Sequence, residues 1–270
     1  MSHWTLDDIP WTRFDPARLD PDLVAVVKAA SLVEHNSADY ADYLCNVFAD
    51  DPAFQAAARE WAVEEVQHGE ALGRWAEMAD PSFNFSESIA RFRAGYRIPI
   101  EATQSVRGSR TGELTARCVV ETGTSSFYSA LRDASHEPVL KVICAKIAGD
   151  EFRHYKLFYT HMQTYLTREK PSRLRRILVA IGRFREADDD ELAFAYHCAN
   201  AGDAPYDRKS AAAAYAARAY RCYRPDHVRR AVNMILKATG VATHGRMSDW
   251  ATKVVWRHLR RQVGSAPLAA

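Results

Sequence analysis

Two short stretches of this chain carry the same pattern. Glu65-Val66-Gln67-His68 and Glu151-Phe152-Arg153-His154 are both Glu-x-x-His. Residues three apart share one face of an α-helix, so each stretch points a carboxylate and an imidazole the same way. A further acid lies upstream of each: Glu34, 31 residues before Glu65, and Glu121, 30 residues before Glu151. The unit of one Glu, a helix hairpin and a Glu-x-x-His thus occurs twice, 86 residues out of phase. A single Glu-x-x-His is common by chance on the charged face of an amphipathic helix. Two copies, each with a partner Glu at nearly the same distance, are not explained by solvated surface charge. Four carboxylates and two imidazoles meeting inside a helical bundle make a dinuclear metal site.

Carboxylates that bind terminally or bridge, together with imidazole nitrogen, suit iron or manganese. Glu65 and Glu151 are expected to bridge, His68 and His154 to take one metal each, and Glu34 and Glu121 to bind terminally. Trp61, Val63, Ala145 and Ile147 flank the motifs, so the ligand face is expected to border apolar surface. Glu60 and Glu64 are expected to point elsewhere, into solvent. His35 follows Glu34 directly and projects about 100° away from it. His161, one heptad past His154, is expected to pack rather than to support the metal. His3, His136, His197, His227, His244 and His258 show no partner. Asp150 precedes Glu151, and metal-bound imidazoles usually need a carboxylate on the distal nitrogen. Thr124 lies three residues past Glu121 and can reach a terminal ligand or oxygen; back-bonding to its own helix is an equal alternative.

The periodicity predicts helices over 20–49, 52–79, 112–134 and 137–168, each opened or closed by an Asp-Pro, Glu-Pro or Lys-Pro signal. Between the second and third runs a long connection, 81–111, with room for a short helix. Further helices are expected near 171–187, 190–200, 208–222, 226–239 and 246–263, with an acidic turn at Asp188-Asp189-Asp190 and a frayed tail from Gly264. No stretch alternates with period two for long enough to be a strand. The expected organisation is an N-terminal arm (1–19), a metal-bearing bundle (20–168) and a C-terminal helical extension (169–270) packed on it.

Composition narrows the function classes. No run of about 18 apolar residues occurs, so no membrane span is expected. The first twenty residues lack a basic stretch followed by an apolar core, so no secretory signal is expected. Five scattered cysteines without a Cys-x-x-Cys argue against a disulfide framework or a thiolate metal centre, and fit a reducing, cytoplasmic setting. The net charge of +2 hides an asymmetry: residues 171–270 carry 18 Lys and Arg against 9 Asp and Glu, whereas 1–170 carry 18 against 25. A basic third beside an acidic bundle predicts an anionic partner such as an acidic carrier protein. The basic residues form no nucleic-acid-binding motif, so nucleic acid is not expected.

Trp61-x-x-Glu64-Glu65-x-x-His68-Gly69-x-x-Leu72 and Asp150-Glu151-x-x-His154, with Glu121-x-x-Thr124, resemble the metal motifs of soluble acyl-carrier-protein desaturases. Those are ferritin-like di-iron enzymes that insert a double bond into a thioester-bound acyl chain. The resemblance covers residues 20–168. It implies an all-α fold: a ferritin-like four-helix bundle with a long crossover, followed here by additional C-terminal helices. It implies Glu34, Glu65, His68, Glu121, Glu151 and His154 as ligands to two iron ions (Fe2+/Fe3+, with a Mn/Fe pair also fitting). By the same resemblance Thr124 takes part in oxygen activation and Asp150 hydrogen-bonds His68.

The expected function is a non-haem di-iron oxidase or oxygenase that activates O2 to oxidise a C–H bond of an acyl thioester or other small apolar substrate. Electrons come from an external donor, and a homodimer is compatible with the fold. The competing reading is a ferritin- or rubrerythrin-like iron oxidase or peroxide scavenger. Rubrerythrins need Cys-x-x-Cys pairs, and ferritins lack an extension such as 169–270. Small residues beside the single-ligand helices (Ala30, Ser37, Ala38 and Ala41 near Glu34, Thr124 and Ser125 near Glu121) predict an apolar pocket there, with Tyr128 at its far wall.

Overall fold

The computed structural model describes residues 4–186, 190–202 and 204–264, and is all-helical among them. The helices are α1 (Pro21–His35), α2 (Ser37–Val47), α3 (Pro52–Ala79), α4 (Phe85–Gly95), α5 (Arg110–Ala134), α6 (Pro138–Glu169), α7 (Arg173–Glu186), α8 (Asp190–Asn200), α9 (Arg208–Tyr220), α10 (Pro225–Thr239) and α11 (Arg246–Gly264). None of these is long and apolar enough to cross a membrane. Asp188 and Asp189 of the expected acidic turn, and the tail past Gly264, lie outside the described residues.

Three of the site-bearing helices start in the same way. Asp20, Asp51 and Glu137 each precede a proline and accept hydrogen bonds from the first free backbone N–H groups: Asp22 at 2.9 Å, Phe54 at 3.0 Å and Leu140 at 2.7 Å. The proline has no N–H to orphan at that position, and each such cap contributes about 1 kcal/mol.

The single helix expected over 20–49 is in fact two. Asn36 leaves the helical region (φ −90°, ψ 10°) and separates α1 from α2. Arg93 of α4 secures the break by donating to the His35 carbonyl at 3.0 Å. Gly69 of α3 sits against it: a Cβ there would lie 2.5 Å from the Cβ of His35 and 2.6 Å from its backbone nitrogen. Only a glycine allows α1 to come this close, one residue beyond both Glu34 and His68.

Two buried apolar clusters are stacked along α3, α5 and α6. On α3, Phe54, Ala58 and Trp61 belong to one, and Leu72, Trp75 and Ala76 to the other. On α6, Ile143 and Ile147 lie in the second, and Phe158 and Met162 in the first. On α5, Leu114 and Cys118 come first and Ala130 and Leu131 second. Thus α3 and α5 traverse the layers in one direction and α6 in the other, and the long connection containing α4 returns the chain between the two parallel helices. Each predicted ligand of these helices falls in the gap between the clusters.

The C-terminal helices pack on this body. α8 contacts α1, α7 and α10 contact α5, and α9 and α11 contact each other. Part of the basic excess is consumed internally: Arg218 pairs with Asp22 at 3.0 Å, and Arg221 with Asp20 and Asp22 at 2.5 and 2.6 Å.

Candidate metal centre

Glu34 from α1, Glu65 and His68 from α3, Glu121 from α5, and Glu151 and His154 from α6 converge, and all six are buried. They form two overlapping groups able to hold a metal ion: Glu34, Glu65, His68 and Glu151, and Glu65, Glu121, Glu151 and His154. Glu65 and Glu151 belong to both. His68 Nδ1 lies 3.3 Å from Glu151, 3.5 Å from Glu65 and 3.7 Å from Glu34. His154 Nδ1 lies 3.0 Å from Glu65, 3.7 Å from Glu121 and 3.9 Å from Glu151.

The donor set fits a cation. His68 Nδ1, His154 Nδ1, Glu121 Oε1 and Glu151 Oε1 are all buried without a hydrogen-bond partner. Buried polar atoms are nearly always satisfied, and an orphaned one costs about 1–3 kcal/mol. Four orphans converging from four side chains, all on lone-pair-bearing atoms, mark places for a Lewis acid.

The protonation pattern of the metal-free cluster follows from crowding. Burial and then the Glu65 charge push Glu34 well above the usual carboxylate range. Burial and then the Glu151 and Glu65 charges do the same to Glu121. Burial also disfavours ionised Glu65, but Glu34, His154 and His68 outweigh it and hold Glu65 well below its usual value. Glu151 is lowered in the same sense, His154 and His68 overcoming burial and the Glu65 charge. Both imidazoles are raised well above the ordinary histidine value despite their burial. Asp150, Glu151, Glu34 and Glu65 do this for His68, and Glu151, Glu64 and Glu65 for His154. Protons stand in for cations until a metal displaces them.

A second ring of side chains orients the first. His68 Nε2 donates to Asp150 Oδ2 at 3.0 Å, which leaves Nδ1 as the ligand atom. Burial alone would raise Asp150; hydrogen bonds from His68, Trp4 and Arg153 instead hold it at about 2. Glu64 does for His154 what Asp150 does for His68, accepting from Nε2 at 2.9 Å. The expectation that Glu64 faces away into solvent is therefore corrected: the turn of α3 that aims Glu65 into the buried cluster brings its neighbour beside α6. The signal was present, since Glu64 stands before Glu65 as Asp150 stands before Glu151. Arg153 ties the two outer acids together, donating to Asp150 and, at 2.9 Å, to Glu64.

Three contacts had no local signal. Trp4 stacks on His68 with ring centroids 5.9 Å apart and donates from Nε1 to Asp150 at 2.6 Å. Tyr128 donates to Glu34 at 2.5 Å, so it holds a ligand as well as lining a wall. Thr124 is 2.5 Å from Glu151, closer than the backbone carbonyls of Val120 and Glu121 at 3.3 and 3.2 Å. Its partner is thus the shared Glu151 rather than Glu121.

Other expectations need correction. Trp61 and Ile147 are buried beside the motifs, but Val63 is 71% exposed and Ala145 also faces out. His161, by contrast, packs as expected, edge-on against Phe54. His227 has a partner after all, Asp133 at 3.0 Å; His3 lies outside the described residues.

A cavity of about 290 Å³ lies against the four carboxylates. Ala30 and Ser37 line it from one side and Thr124 and Tyr128 from the other, where the pocket was expected. Ala38 is exposed, Ala41 packs into the apolar cluster around Phe54, and Ser125 donates to the Ala148 carbonyl, so these three do not line it. Much of its wall comes from the C-terminal helices: Tyr215 and Tyr220 of α9, Val228 and Val232 of α10, Leu259 of α11.

No protein-family model matches the chain, and no curated protein matches it either. What fold and site define is an all-helical protein whose buried Glu/His groups can hold metal.

Proposed function

We propose that the protein is a ferritin-like di-iron oxidase. In this reading α1, α3, α5 and α6 form the four-helix bundle, and the connection through α4 is its long crossover. Glu34, Glu65, His68, Glu121, Glu151 and His154 would hold two iron ions, Glu65 and Glu151 being the carboxylates common to both ligand groups. The observation that carries the reading is the pair of ligand groups sharing two carboxylates. Bound iron would supply electrons to O2, for oxidation of a C–H bond in a small apolar molecule. An acyl chain on a thioester is the form of substrate implied by the desaturase resemblance, with reducing equivalents from an external donor.

The chain's own residues have definable tasks. Asp150 and Glu64 fix the tautomer and aim of the imidazoles. Tyr128 restrains Glu34. Thr124 holds a proton at Oγ1, beside Glu151 and on the cavity wall, where it can pass to or from oxygen. Trp4 shields the back of His68 from water. The cavity against the carboxylates favours an organic substrate over iron storage.

Anaerobic titration with ferrous iron, followed by O2 and product analysis on a panel of acyl thioesters and free acids, tests this. Uptake of two ions per chain with oxidised organic product is expected. Repeated ferrous oxidation without organic product would favour the ferroxidase reading. No iron uptake would overturn both.

A further inference from the structure

One end of the cavity carries two buried donors with nothing to donate to. Arg117, on α5 one turn before Glu121, is only 8% exposed, and its Nε has no partner. Trp61, on α3 one turn before Glu65, is 5% exposed, and its Nε1 has none either. Both line the cavity, with the guanidinium 6.0 Å from the indole ring and 4.8 Å from that of Tyr40. Arg117 forms no hydrogen bond or ion pair among the described residues. Glu191, on the same wall, accepts from the Tyr40 hydroxyl at 2.9 Å instead.

A buried guanidinium that no carboxylate contacts directly is costly, even with Glu191 on the same cavity wall. Balancing the metal centre does not explain it, because two divalent ions already neutralise four ligand carboxylates. A buried cation and an N–H donor left open at one end of an apolar pocket call for an anion with two acceptor oxygens. The planar guanidinium fork matches a carboxylate. The rest of the wall, with Val119, Val120, Val228, Val232 and Leu259, suits hydrocarbon. About 290 Å³ is at the small end for a ligand pocket.

We propose that this cavity binds a small apolar monocarboxylate, its carboxylate held by Arg117 and Trp61 and its chain lying along the four metal-binding carboxylates. The proposal rests on the oxidase reading and narrows its substrate from a carrier-bound acyl group to a free acid. The reactive carbon then sits a few bonds from the carboxylate, since Arg117 is a single helical turn from Glu121.

Calorimetric titration with octanoate and with 1-octanol, on metal-free and on zinc-loaded protein, tests binding without turnover. Octanoate should bind at least about tenfold more tightly than the alcohol in both forms. Arg117→Gln should remove that preference and leave octanol binding unchanged, which also shows that the variant is folded. Trp61→Phe, which keeps the ring and loses the N–H, should weaken octanoate by a few-fold and spare octanol. Equal affinity for acid and alcohol in the unaltered protein would overturn the proposal. So would a preference that survives Arg117→Gln, or one seen only with zinc, since the acid would then sit on the metal. Failure of iron to support oxidation would count against the oxidase reading and leave this binding result standing.

Discussion

The two candidate metal-binding groups have matching side chains and unmatched surroundings. Around His68 the outer contacts are many: Asp150 takes its Nε2, Trp4 covers its ring, and Tyr128 restrains Glu34. Around His154 the outer acid is Glu64, whose side chain is partly exposed, and Glu121 keeps an oxygen without a partner. The repeat accounts for the ligands. The difference lies chiefly in Trp4 and Tyr128, outside the repeat, which give the His68 group more anchoring contacts than the His154 group. Both positions turn their carboxylates toward the cavity, whereas neither histidine lines it.

The largest effect should come from what the positions share. Glu65→Ala removes a ligand from both groups, so metal content measured by elemental analysis should collapse to nearly none. Glu121→Ala should spare the His68 position and leave about half. Equal loss in the two variants would mean that the positions are not separable.

Acidity should act next most strongly. Glu34, Glu121, His68 and His154 hold protons more tightly than usual in the metal-free cluster, and a metal must expel them. Affinity should therefore fall as pH falls, by roughly tenfold per pH unit for each proton displaced, with proton release visible in weakly buffered indicator dye. The metal-free protein should run the other way. The imidazolium contribution to its stability is complete below the ordinary histidine value of 6.5 and is lost as pH rises through the raised values. Melting curves with and without chelator, taken between about pH 6 and 8, should slope in opposite directions.

The smallest effect compares the outer acids. Asp150→Asn should weaken metal binding by about 10–100-fold, as loss of an orienting carboxylate does, and Glu64→Gln should cost less because solvent can replace it. Chelator competition measures both. A larger loss for Glu64→Gln would reverse the assignment of the anchored position.

The distinction between local and distant information explains what was legible beforehand. Glu65 with His68, and Glu151 with His154, are set by the helical turn, so a spacing of three residues states their shared direction. The Asp-Pro and Glu-Pro starts are equally local, and α3 begins and ends where its periodicity and proline signals place it. Asn36 was harder. The polar run Glu34-His35-Asn36-Ser37 contains no proline or glycine to mark a stop; the break is held by Arg93 and permitted by Gly69, both far along the chain. The basic C-terminal third read only as charge and helix, yet its helices wall the cavity.

The sequence by itself therefore determined most helix boundaries and the shared direction within each Glu-x-x-His pair, because these depend on neighbours three or four residues away, while the repeat spacing marked Glu34 and Glu121 as candidates. Only the tertiary structure decided how unequal the two positions are and what the cavity can recognise. Tyr128 reaches Glu34 across 94 residues and Trp4 reaches Asp150 across 146, and no periodicity connects residues that far apart. Arg117 and Trp61 were a charge and an aromatic until packing buried both without acceptors, and burial is a property of the assembled core.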